Sequence, residues 1–120
     1  MSGTFVTIGA QQALAIASAS LSQSTSPTGT VSGTGCNALI TTQTFTNGPG
    51  TAVSFAYTNP LISNTTDVSA IIASASSSSG NPSLTLSGQS TGAVYFTITN
   101  ESPSVSMNGT LGISVLVYHL

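Results

Sequence analysis

Apolar residues recur at every second position through most of the C-terminal half of this chain. In "GAVYFTITN", Val94, Phe96 and Ile98 alternate with Tyr95, Thr97 and Thr99, a period of two that sends one row of an extended strand to the core and the other outward. "GTLGISVLVYHL" repeats the pattern: Leu111, Ile113, Val115 and Val117 share one face, and Gly112, Ser114, Leu116 and Tyr118 the other. That second face is itself partly apolar, which implies that something covers it. "TAVSFAYTN" places Val53, Phe55 and Tyr57 on one side of a further strand, and "ALITTQTFT" predicts a Thr-rich strand over residues 38–46. The "NGPG" between them, with its proline and two glycines, predicts a turn and hence a hairpin. "DVSAIIASAS" (67–76) and "PSLTLSG" (82–88) supply two more strands. Strands at this short spacing predict an all-β sandwich or barrel.

The first 36 residues behave differently. "QQALAIASASL" fits either a short helix or a strand, because periodicity does not separate the two over so short a run. "SQSTSPTGTVSGTG" (22–35) has the Ser, Thr and Gly content of a flexible or extended linker. The expected organisation is an N-terminal arm and linker over residues 1–36, held down by a neighbouring chain, followed by a β-sandwich domain over 37–120. Residues 5–21 superficially resemble a signal peptide but lack the positively charged leading segment one requires, so the segment is expected to be retained.

Charge changes the picture most. The 120 residues contain no Lys or Arg and only two acidic side chains, Asp67 and Glu101, where an ordinary soluble domain is about one-quarter charged. Without basic residues the chain cannot displace counterions from phosphates, so direct nucleic-acid binding is not expected. Nor is electrostatic attachment to anionic lipid, and no apolar run approaches the roughly 20 residues that span a bilayer as a helix. The single Cys36 cannot close an internal disulfide, and "GTGCNAL" offers no cation to activate its thiol.

Candidate chemistry is sparse. Asp67, Glu101 and His119, with one of many serines, are the only side chains a hydrolytic triad could recruit, yet no G-x-S-x-G elbow occurs and His119 is next to the last residue. One His, one Cys and two distant carboxylates lack ligand spacing for zinc or calcium. Neither a catalytic residue, a metal nor a cofactor is assigned, and Asp67 and Glu101 read as solvated turn residues. Sequons stand at Asn64, Asn100 and Asn108, in numbers that so Ser- and Thr-rich a chain produces by chance. There is no Trp; Tyr95, opposite Val94 and Phe96, is the best candidate for a glycan platform, but reads more readily as an interface residue.

The cadence of "TAVSFAYTNPLISNTTDVSAIIASAS", "STGAVYFTITNES" and "MNGTLGISVLVYHL", with its G-x-V-x-F-x-I-x-N strand and closing N-G-T-L-x-I-x-V-L-V strand, resembles small structural proteins of viruses and bacteriophages. It covers residues 51–120. The resemblance implies an antiparallel, jelly-roll-like β-sandwich acting as a minor capsid, decoration or cement subunit in the virion, without enzymatic activity. Its partners would be copies of itself, as a homotrimer, and other capsid proteins. A neutral, hydroxyl-rich surface agrees, since it can pack on itself without like-charge repulsion. The interface residues expected from the strand faces are Tyr95, Leu116, Tyr118 and Leu120. The alternative is a secreted or cell-surface adhesive module or fibre subunit, with or without glycan recognition.

Overall fold

The computed structural model describes residues 19–63, 66–76 and 79–119. Among them are eight strands and no helix: β1 (Ala19–Ser22), β2 (Val31–Ser32), β3 (Asn37–Thr41), β4 (Ala52–Thr58), β5 (Thr66–Ala75), β6 (Pro82–Ser90), β7 (Ala93–Asn100) and β8 (Leu111–His119). They form two four-stranded sheets, ordered β1-β3-β8-β5 and β2-β4-β7-β6. The protein is an all-β sandwich. No helix among the described residues is long and apolar enough to cross a membrane.

The two strands with the clearest alternation both occupy interior places, one in each sheet. β7 lies between β4 and β6, with Phe55 opposite Phe96 and Val53 opposite Ile98; β8 lies between β3 and β5, with Ile40 and Ile72 on either side of Ile113. Their inner rows, Val94, Phe96, Ile98 and Leu111, Ile113, Val115, Val117, are all buried. A strand flanked on both sides satisfies its whole backbone in the ladder, so β-branched and aromatic residues that fit a pleated, buried surface belong there. Phe96 packs edge-on against Phe55 at 5.5 Å between ring centroids and stacks on Tyr57 at 5.9 Å. Phe45, Ile62 and Met107, from the connecting segments, complete the core.

Consecutive strands pass from one sheet to the other at every connection except the β6–β7 hairpin. This corrects the expected hairpin over residues 38–58. "NGPG" does turn, with the Thr51 amide donating to the Gly48 carbonyl at 3.1 Å, but it carries the chain between sheets. The strand before it stops at Thr41, because Phe45 leaves the ladder to fill the core and bridges Gly109 instead. Asp67, read as a turn residue, lies within β5 at the register position opposite Tyr118.

Residues 19–35 also differ from a linker. β1 runs parallel to β3 and β2 parallel to β4, so the sandwich is antiparallel except at one edge of each sheet. Composition hides two anchors. Val31 enters the core, and buried Gln23 spends its whole side chain: Nε2 donates to the carbonyls of Pro27 and Gly29, both at 2.9 Å, and Oε1 accepts from the Gln43 amide at 3.0 Å. A buried amide so completely used fixes its segment, since any other arrangement would leave its own buried polar atoms unpaired. Removing residues 1–35 is therefore expected to lower the urea midpoint sharply. A truncated chain that melts like the full one would show that β1 and β2 contribute nothing to stability. The expected arm ahead of Ala19 lies outside the described residues.

Candidate functional site

Two outer faces remain once the inner rows are buried, and they are chemically unlike. On the first sheet, β3, β8 and β5 align Asn37, Leu116 and Ser69 in one row and Leu39, Ser114 and Ile71 in the next. The large residues are thus staggered, with Leu116 diagonal to both Leu39 and Ile71, and Tyr118 two positions beyond on β8. Leu39, Ile71, Leu116 and Tyr118 are all exposed, Ile71 to 62%. Between them lie Ser, Asn and Gly, and the backbone register sets Asp67 opposite Tyr118 on the edge strand of the same sheet. Large side chains alternating with small ones on a flat sheet make a corrugated, apolar surface.

The outer face of the second sheet is a field of hydroxyls around one aromatic ring. β4, β7 and β6 align Ser54, Thr97 and Thr85 in one row, and Ala52, Thr99 and Ser83 in another. Ser54 Oγ and Thr97 Oγ1 share a hydrogen bond of 2.8 Å, and Ser32 Oγ and Thr58 Oγ1 one of 2.7 Å. Tyr95, 47% exposed, stands between Ala56 and Gly88. Its ring leans over the glycine: a Cβ on Gly88 would sit 3.5 Å from Tyr95 Cδ2. The register shift between Leu86 and Gly88 places a residue without a side chain beneath the ring, so the ring lies open to solvent.

Beyond Thr99 this face runs into a recess of about 290 Å³ whose walls include Pro49, Gly50, Glu101 and Pro103. Its frame depends on Asn100, fully buried at the end of β7. Asn100 Oδ1 accepts from the amides of Asn81 and Ser102, each at 3.0 Å, while Nδ2 donates to the carbonyls of Asn47 (3.1 Å) and Val105 (2.8 Å). One side chain thus ties together three loops. Glu101 projects beside them, Oε1 accepting from Ser83 Oγ at 3.0 Å. Opposite, Gly80 has φ of +78°, and a Cβ there would come within 2.7 Å of Met107 Cγ; only glycine meets both demands.

The expected interface residues do not form one surface. Leu116 and Tyr118 share the outer face of the first sheet, Tyr95 lies on the outer face of the second, and Leu120 is outside the described residues. Leu39 and Ile71 complete the apolar patch but were not foreseen. The signal was present in "LI" (39–40) and "II" (71–72): two large apolar neighbours within one strand must point to opposite faces, so one of them faces out.

Acid–base candidates are equally dispersed. β5 and β8 bring the backbones of Asp67 and His119 to neighbouring register positions, whereas Glu101 opens the loop that enters β8 at Leu111, about 26 Å of strand from His119. Among the described residues no three of His, Cys, Asp and Glu gather as metal ligands. Cys36 is exposed. Of the sequons, Asn64 is outside the described residues, Asn100 has no free amide to receive a glycan, and Asn108 is exposed. No family model, curated protein or solved structure matches this chain.

Proposed function

We propose that this protein is a non-enzymatic structural subunit that associates with copies of itself through the outer face of the first sheet. The observation that carries the reading is the staggered cluster of Leu39, Ile71, Leu116 and Tyr118, left exposed together on one sheet face. Covering such side chains returns roughly 25 cal/mol for each Å² of apolar area withdrawn from water, and a chain with two acidic side chains and no basic one opposes its own copy with little repulsion. Serine and glycine between the large residues give the copy's side chains places to enter. The setting follows from the sequence cadence: a minor capsid, decoration or cement subunit of a virion, assembled as a homotrimer beside other coat proteins.

Size-exclusion chromatography with light scattering tests this directly. The wild-type chain is expected at three times its own mass, and the double variant Ile71→Ser/Leu116→Ser at the mass of one chain with an unchanged far-ultraviolet spectrum. A monomeric wild type overturns the reading. So does an oligomer that survives the double substitution, because its contacts then lie elsewhere.

A further inference from the structure

The second sheet's outer face is not accounted for by self-association through the first, since the two surfaces point in opposite directions. We propose that this face, from Tyr95 to the recess beside Glu101, binds a short, uncharged oligosaccharide.

Three features select that ligand class. The first is the ring of Tyr95, held clear of neighbouring side chains by Ala56 on one side and Gly88 on the other. An aromatic face exposed in this way offers apolar area at little conformational cost, and the C–H face of a pyranose fits it. The second is the array around the ring. Ser54, Thr85, Thr97, Thr99 and Ser83 present hydroxyls, each able to donate and to accept, which matches the mixed donors and acceptors of a sugar rather than the acceptor-only edge of a carboxylate or phosphate. The Ser54–Thr97 pair is already joined across the strands, so its orientation is set before a ligand arrives. The third is charge. This face carries no cation, and among the described residues its one carboxylate neighbour is Glu101 at the far end. An anionic ligand has no counter-charge here, whereas a neutral polyol can donate to the carboxylate at the edge of the recess.

The dimensions agree with a short chain rather than a single ring. Tyr95, Thr97 and Thr99 follow one another along β7 over about 13 Å, and the recess continues that line past Thr99. Tyr95 stacks one unit, the hydroxyl rows hold the next, and Glu101 receives the end.

The experiment is saturation-transfer NMR on the full chain with a panel of neutral oligosaccharides: cellohexaose, mannohexaose, maltohexaose and chitohexaose. At least one is expected to give a saturable signal. Tyr95→Ala then weakens its affinity about tenfold or more, Tyr95→Phe leaves it within about threefold because the ring face remains, and Cys36→Ser, exposed and away from this face, leaves it unchanged. Tyr95 is half-exposed, so its loss spares the core, and equal melting temperatures verify this. The proposal is overturned if no sugar of the panel gives a saturable signal, if Tyr95→Ala binds as the wild type does, or if Cys36→Ser weakens binding equally.

Discussion

Phe96→Ala should remove about 3–5 kcal/mol of stability, a large share of the roughly 5–15 kcal/mol that holds a domain folded. The residue is fully buried at the middle of the central strand of its sheet, edge-on to Phe55 and stacked on Tyr57. Truncation therefore loses the transfer free energy of the ring and both aromatic contacts, and opens a cavity that strands paired on both sides cannot close. In urea the midpoint should fall while the slope stays constant, since the surface exposed on unfolding hardly changes. Phe96→Leu fills part of the space and should cost less than half as much. If Phe96→Ala melts within about 1 kcal/mol of the wild type, the packing described between the sheets is wrong.

Asn100→Ala is expected to be nearly as damaging, at about 3 kcal/mol, by a different route. Alanine leaves little cavity, but it abandons two partly buried amides and two carbonyls in three loops, each left without its partner. Asn100→Asp separates the two halves of this network: the acceptor side survives, while the donor side is replaced by an oxygen facing the carbonyls of Asn47 and Val105. Both variants should lose amide hydrogen-exchange protection first at Asn81 and Ser102, before the central strands. Uniform loss of protection across the molecule would mean that Asn100 supports the core rather than the loops.

How far the sequence discloses this molecule depends on which property carried each residue's role. Alternation identified the buried rows of β7 and β8 residue by residue, because a central strand has one face for the core and its apolar period survives intact. Pairing was not legible in the same way. Which strand lies beside which depends on where Phe45 and Met107 insert between the sheets, and the "NGPG" turn looks the same whether it joins neighbours or crosses a sandwich. Residues 19–35 misled for a related reason: Gln23 fixes its segment through hydrogen bonds to backbone groups, and a buried amide leaves no mark on hydropathy. Tyr95, Leu116 and Tyr118 were each recognisable as outward-facing, yet only the assignment of β7 and β8 to different sheets reveals that they serve two surfaces.

That assignment also governs how the chain reaches its fold. β3, β4 and β5 have no in-sheet partners among one another, so a growing polypeptide that has produced them has only the short β1–β3 and β2–β4 edge ladders to hold them. Residues 93–119 supply both missing centre strands, and the contacts they close reach back across most of the chain; Ala38, for instance, meets Val115. Such long closures make folding slow. Until they form, the apolar faces of the earlier strands stand open to any neighbour. During synthesis, then, the molecule is all-or-nothing: nascent chains crowded on one messenger face their greatest risk of misassociation just before the last quarter of the sequence emerges, and a chaperone that shields residues 38–75 until then should raise the yield of folded protein more than one acting later.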